Sequence, residues 1–321
     1  MDILIAIPAF NEQEDLKKTV ETLKSGIGSS FKYKLLLLND GSTDDTDKIC
    51  EDISPDYYLE SKVNYGLASA FSSILNFSKE LDIDYLILFD ADNQYPADQV
   101  SDLVNEARKS GSDIVIGERE FKNNQFSYLK NLLQRVGSFV IRLFSGYKIK
   151  DATSGFRLYS VNAINKIEIS DTFTYTLETI LQAKNKELII STINLKTTNL
   201  TRPSRLFSSN KSYVRNSIVT LVRSVFLYSS SKFFGFLFVF FGSFSFLVLS
   251  RFFLPYFRDG SNSGNVQSLV FGSTILILGF IFLMIGILVA LSTKTSYLLK
   301  RDSNKKLHGS IDRKKKEENY Y

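Results

Sequence analysis

The segment YLILFDADNQYP, residues 85–96, places Asp90 and Asp92 two positions apart and Gln94 two further on. They follow Ile87, Leu88 and Phe89, which read as the end of a buried strand. Carboxylates held this close repel each other unless a cation sits between them. Two aspartates at i and i+2 in a turn can both face a hard ion, Mg2+ or Mn2+. Gln94 offers a further oxygen, and the phosphates of a substrate would complete an octahedral shell. The chemistry in question is the handling of a diphosphate. An Asp-x-Asp pair alone is common in surface turns; its place at a buried strand end, in an acidic stretch, is what singles it out.

The elements that must position these residues follow from the pattern on either side. Apolar runs ILIAIPAF, YKLLLLND, YYLES, YLILFD and DIVIG alternate with amphipathic stretches such as EQEDLKKTVETLKSG and ADQVSDLVNEARKSG. This alternation predicts an α/β domain with a mainly parallel sheet flanked by helices, in which ligands sit beyond the carboxyl ends of the strands. The polar residues at those ends are Asn11 and Glu12, Asn39 and Asp40, then Asp90 and Asp92, which should converge on one crevice. Neither G-x-G-x-x-G nor G-x-x-x-x-G-K-[ST] follows any strand, so neither a dinucleotide fold nor a P-loop ATPase is supported.

The chain has one cysteine, Cys50, and one histidine, His308. An internal disulfide, a His/Cys zinc cluster and a Ser-His-Asp triad are therefore ruled out. Residues 1–120 hold 11 Lys/Arg against 24 Asp/Glu, a balance of −13, whereas residues 121–232 hold 17 against 5, a balance of +12. The acidic part suits a cation, and the basic part suits phosphate or an anionic surface. Nucleic acid is not an expected partner, because the basic part is interleaved with long apolar runs.

Residues 232–254 and 267–292 are each long and apolar enough to cross a bilayer, which takes roughly 20 residues. Lys294, Lys300, Arg301, Lys305, Lys306 and the run 313–316 follow the second span, while the connecting loop carries only Arg258 and Asp259. The positive-inside rule then predicts a membrane protein with two helices and both termini cytoplasmic. The basic tail, 293–321, reads as disordered and lipid-facing. Paired anchors of this kind leave a homo-oligomer open. Between Glu120 and Asp151 there is no acid, and Lys122, Lys130, Arg135, Arg142, Lys148 and Lys150 are interspersed with apolar residues at helical spacing. Residues 126–145 therefore predict an interfacial amphipathic helix on the bilayer, and 206–231 a second one leading into the first span. Packing into an ordinary core is the alternative for each.

In order along the chain, IPAFNEQEDL, LLNDGSTDDT, NYGLASAF, DADNQYP, DIVIGER and DATSGFRLYS resemble glycosyltransferase family 2, and more narrowly its polyprenyl-phosphate glycosyltransferases. The resemblance covers roughly residues 3–160, within a catalytic domain expected over 1–205. It implies a GT-A fold and an inverting, metal-dependent transfer of a hexose from a UDP- or GDP-linked donor to undecaprenyl or dolichyl phosphate. By matching position, Pro8, Phe10, Glu12, Leu38 and Asp40 would surround the nucleotide, with Asp90, Ala91 and Asp92 against its diphosphate. Asp90, Asp92 and Gln94 would hold the metal, and Arg119 would lie near the phosphates. Asp151, Ser154 and Arg157 fall in the acceptor signature, with Asp92 and Asp151 as the candidates for any general base.

Departures from the family pattern are local. Asn39 stands where a first aspartate is usual, and Glu118 where a small residue is. Lys130 and Gln134 stand where some members turn Arg and Ser to the acceptor phosphate, with Arg135 beside them. In NLTRPSRL, Arg205 takes the place of the family's lysine on the donor side, with Arg202 as the counterpart of an earlier arginine. Two other readings stay open: a transferase that extends a glycolipid or polysaccharide, and an inactive membrane scaffold. The absence of tryptophan counts against a processive synthase, whose signature is Q-x-x-R-W.

Overall fold

The computed structural model describes residues 2–28, 30–119, 128–169, 175–196, 219, 221–223, 225–226, 229–259 and 266–318; for 128–134, 259 and beyond 292 it describes the backbone path alone. The chain divides into two compact units, Met1–Tyr228 and Ser229–Tyr321.

The first unit is built on a seven-stranded sheet. Its strands are β1 (Ile3–Ala9), β2 (Tyr33–Asn39), β3 (Tyr57–Glu60), β4 (Tyr85–Leu88), β5 (Ile114–Arg119), β6 (Arg157–Ser160) and β7 (Ile190–Leu195), in the order β3-β2-β1-β4-β6-β5-β7. β3, β2, β1 and β4 run parallel, as do β5 and β7; β6 alone is antiparallel to both its neighbours, β4 and β5. The mainly parallel sheet expected from the alternation is present. The antiparallel insertion of RLYS between β4 and β5 is not visible in the pattern, because four residues are too few to show a direction.

Helices cover both faces: α1 (Leu16–Ile27), α2 (Thr46–Ile53), α3 (Leu67–Ser78), α4 (Val100–Ser110), α5 (Tyr128–Ser145), α6 (Val161–Lys166) and α7 (Tyr175–Asn185). Strands buried on both sides need apolar residues at nearly every position rather than alternate ones. This accounts for ILIAIPA in β1, where only Pro8 retains appreciable exposure. One core layer joins Leu16, Val20 and Leu23 of α1 to Ile5, Ile87 and Val115 of the sheet and to Val100, Leu103 and Val104 of α4. β1 and β4 lie adjacent in the sheet, so their carboxyl ends open on the same edge.

The second unit is a helical hairpin of α8 (Ser230–Asp259) and α9 (Val266–Glu318). Ser230–Arg258 and Val266–Ser292 are long and apolar enough to span a membrane, and are only 11% and 17% buried, unlike core helices of a soluble protein. α9 does not stop where its apolar run stops. It continues helically through Glu318, although the polar composition there predicts disorder. Three glycines spaced seven apart, Gly272, Gly279 and Gly286, form the seam on α9. A Cβ on Gly272 would lie 2.7 Å from the Leu249 side chain, on Gly279 3.5 Å from Phe241, and on Gly286 2.6 Å from Phe234. Without apolar burial to drive them together in lipid, helices gain from such close approach and from polar ties like Ser245 Oγ to the Gly272 carbonyl, at 2.7 Å. A Gly286→Leu substitution should push the hairpin apart and lower the aggregation temperature of the detergent-solubilised protein, followed by light scattering on heating. Gly242→Leu, with open space around it, should leave that temperature unchanged.

Candidate active site

The carboxyl ends of β1, β2 and β4 carry the predicted polar residues, and two loops there are stitched together. Ser42 Oγ accepts from the Asn11 N–H at 3.0 Å, Asn11 Oδ1 accepts from the Thr43 N–H at 2.8 Å, and Thr46 Oγ1 accepts from the Glu12 N–H at 2.8 Å. Pro8 and Phe10 are half-buried on this edge, and Leu38 is buried at the end of β2. Asn39 accepts from Ser42 N–H through Oδ1 and donates to the Tyr58 hydroxyl through Nδ2. Asp40 is buried, and its oxygens accept from the Tyr65 N–H at 3.2 Å and the Gly66 N–H at 2.8 Å. Its carboxylate thus shapes the 61–66 loop. That loop crosses Gly41, whose φ of +68° and 2.3 Å approach to the Val63 backbone, measured from a would-be Cβ, admit only glycine.

The acidic turn follows β4. Ala91 is buried, and its carbonyl accepts from Thr19 Oγ1 of α1 at 2.8 Å, which pins the turn to the first helix. Asn93 has φ +55°, and Asp92 Oδ1 accepts from the Gln94 N–H at 3.2 Å, so the turn closes through its own carboxylate. Asp92 and Gln94 are half-buried. Burial first, then the charge of Asp92 and that of Glu12, push the Asp90 carboxyl up to about 7, against the opposing influence of Arg119 and the Tyr95 hydroxyl.

The acceptor signature meets this turn. Arg119, at the end of β5, binds Asp151 with Nε at 2.7 Å and Nη2 at 3.2 Å, and Nη2 also donates to Thr153 Oγ1 at 3.0 Å. Burial alone would raise the Asp151 carboxyl, but Arg119 and the bonds from Thr153 outweigh it and hold it below its ordinary value. A carboxylate so engaged is a poor proton acceptor, and its two bonds orient the Arg119 guanidinium. Glu118 is buried and accepts from the Lys150 N–H, fixing the loop's start.

Arg157 differs from expectation. Its side chain is fully buried, and it donates to the carbonyls of Ser154, Ala152 and Thr176 and to Thr179 Oγ1, all at 2.8–2.9 Å. With its guanidinium donating to these acceptors, Arg157 holds the loop from within; each such bond contributes about 1.5–3 kcal/mol net. Ser154 is buried beside Tyr95. Arg135 is exposed on α5; Lys130 and Gln134 lie earlier on that helix, where only the backbone is described. Arg202 and Arg205 lie outside the described residues, as does most of the expected 206–231 helix.

The profile of glycosyl transferase family 2 matches residues 4–168. The chain belongs to that family. An uncharacterized protein of Methanocaldococcus jannaschii is 30% identical over 61% of this chain and 81% of its own length. The UDP-N-acetylglucosamine–dolichyl-phosphate N-acetylglucosaminyltransferase of Methanococcus voltae is 25% identical over 61% of this chain and 85% of its own. Glucosyl-3-phosphoglycerate synthase of Mycobacterium tuberculosis, solved with Mn2+, UDP and its product, superposes with a TM-score of 0.55 at 15% identity, covering 71% of this chain and 79% of that one. The last likeness is one of fold, and the glycosyltransferase has the GT-A architecture that the resemblance implied.

The residues of the turn fit a divalent ion. One carboxyl is driven toward neutrality partly by its neighbour's charge, which is the repulsion that a cation would remove. Among the described residues no third acid, histidine or cysteine joins them, so the remaining ligands would be oxygens of the donor diphosphate and water. Sequence reasoning missed Thr153, Gly155 and Tyr95. A Gly155 Cβ would lie 3.1 Å from both oxygens of Asp90, so a larger residue in SGFR would crowd that carboxylate across the site, a contact that no local pattern reveals.

A carboxyl whose folded pKa is raised to about 7 destabilises the metal-free fold progressively as pH climbs from about 4, its unfolded value, through 7. In EDTA, Asp90→Asn should therefore melt above wild type at pH 8, and the two curves should converge near pH 4, read by thermal denaturation across that range.

Proposed function

We propose that this transferase moves a hexose, with inversion, from a UDP- or GDP-linked donor to a polyprenyl phosphate at the cytoplasmic face of a membrane, yielding a polyprenyl-phosphate sugar. The observation that carries the acceptor assignment is the outer face of α5. Val136, Phe139 and Leu143 recur at helical spacing there and are 49%, 57% and 53% exposed, in a segment with no acid and with Arg135, Lys148 and Lys150 at the surface. Ile141 and Phe144 of the same helix are buried. An exposed apolar stripe with cationic flanks suits the headgroup region of a bilayer, where a lipid phosphate would be presented. The dolichyl-phosphate acceptor in the name of the relative from Methanococcus voltae supports the same reading.

The mechanism follows from the acceptor. A phosphate monoester has a second pKa near 6, so its oxygen is already largely ionised at neutral pH and needs little help from a base. Asp92 remains the candidate where a base assists. The protein's task is then orientation. Pro8, Phe10, Glu12, Leu38 and the loops joined at Asn11 and Ser42 form the nucleotide end, with Arg202 and Arg205 as further donor contacts. Asp90, Asp92 and Gln94 would hold Mg2+ or Mn2+, which when bound supplies positive charge to the leaving diphosphate. Arg119, oriented by Asp151 and electrostatically felt by Asp90, adds a fixed cation beside it. Lys130, Gln134 and Arg135 would receive the acceptor phosphate, Arg135 being suited to a bidentate grip, while the buried Ser154 supports the loop behind them.

Purified protein incubated with undecaprenyl phosphate and a panel of UDP- and GDP-sugars should form a lipid-phosphate sugar detected by mass spectrometry of the organic phase. The product should vanish with EDTA and with Asp92→Asn, a variant that still inserts into membranes. Nucleotide release without a lipid product would redirect the assignment to a transferase extending a glycolipid or polysaccharide. Replacing Val136, Phe139 and Leu143 together by serine should lower turnover of the lipid acceptor in vesicles several-fold and leave nucleotide affinity, measured by calorimetry, unchanged.

A further inference from the structure

The acidic turn and the 151–157 loop are distant in sequence, yet a tyrosine of the turn ties them together. Tyr95 is only 6% exposed. Its ring stacks on Phe156 at 5.1 Å and 20° and meets Phe89 edge-on at 6.2 Å. Its hydroxyl accepts from the Gly155 N–H at 3.2 Å and lies beside both Ser154 and Asp90. From the opposite side the Tyr175 hydroxyl donates to the Gly155 carbonyl at 3.4 Å. The Gly155 peptide is thus gripped at both polar groups while its α-carbon faces the Asp90 carboxylate, which a Cβ there would meet at 3.1 Å.

We propose that Tyr95 is a positioning residue that couples the acidic turn to the acceptor loop, so that seating the donor diphosphate at Asp90 and Asp92 fixes the loop carrying Asp151, Thr153 and Ser154. The coupling rests on the reading of that turn as the diphosphate end of the donor site. Three features give it a physical route. The stack on Phe156 and the bond to Gly155 attach one side chain to two consecutive loop residues. The loop beyond them is stiff, because Arg157 gathers the carbonyls of Ala152, Ser154 and Thr176. Asp151 and Thr153 in turn hold the guanidinium of Arg119, so a shift of the loop reaches the cation at the end of β5. Coupling of this kind is reciprocal: an ordered acceptor loop favours the nucleotide by the factor by which the nucleotide favours the ordered loop.

The test compares full-length wild type, Tyr95→Phe and Tyr175→Phe in detergent, by hydrogen–deuterium exchange of the peptide spanning 151–157, with and without UDP or GDP in the presence of Mn2+. Phenylalanine at 95 keeps the ring stack and removes only the hydroxyl. In wild type the nucleotide with Mn2+ should slow exchange of this peptide. In Tyr95→Phe the nucleotide should bind within about twofold of wild type while the peptide no longer responds, and kcat should fall on the order of tenfold with the donor KM unmoved. Tyr175→Phe, which removes the hydroxyl on the carbonyl side, should keep the exchange response. A response in Tyr95→Phe equal to wild type overturns the coupling. So does a parallel loss of melting temperature, nucleotide affinity and kcat, which marks a merely structural role. If wild type binds neither nucleotide with Mn2+, the donor-site reading itself falls, and the coupling with it.

Discussion

Two like charges share a tight turn at the end of β4, and much of the surrounding structure bears on how they are tolerated. Asp90 enters the turn from a strand whose Leu86, Ile87 and Leu88 are fully or almost fully buried, so its carboxylate receives little hydration from below. Asp92 is two residues on and closes the turn through its own Oδ1. Neither can move far, because Thr19 of α1 holds the carbonyl between them. The fold therefore keeps a repulsion in place that a divalent ion would relieve, and sets Arg119 near enough to offset part of it.

The 151–157 loop on the other side of the site is held by a different balance of charge. Asp151 and Arg119 neutralise each other at 2.7 Å, with the carboxylate wholly buried and the guanidinium side chain still 20% exposed. That asymmetry leaves part of the arginine accessible while the acid serves as its anchor. Arg157 acts inwardly: a buried cation whose described hydrogen bonds all go to neutral oxygens is tolerated because its planar fork reaches several fixed acceptors at once. Glycine at 155 completes the arrangement by letting the loop lie on Asp90.

The hairpin of the second unit solves its packing problem by size and not by charge. Phe234, Phe241 and Leu249 of α8 fall opposite Gly286, Gly279 and Gly272 of α9, large against small. Such a seam needs no polar residue in the spans beyond Ser245, and this agrees with apolar surfaces that are otherwise left to face lipid.

By itself the sequence determined the alternation of strands and helices, the polar residues at the strand ends, the acidic pair placed just after a buried strand, and two apolar runs of spanning length. These are properties of local periodicity and of residue order, and they are legible because buried strands, amphipathic helices and bilayer spans each impose a repeat on the chain. What tertiary structure decided was who satisfies whom. Arg157 looks the same in sequence whether it binds a phosphate or three carbonyls, and the carbonyl of Thr176 lies 19 residues away from it. Tyr95 finds its partner 60 residues on, and Asp151 finds Arg119 32 residues back. Hydrogen bonds and close contacts between distant segments depend on geometry that exists only once the sheet has assembled with β6 inserted antiparallel between β4 and β5.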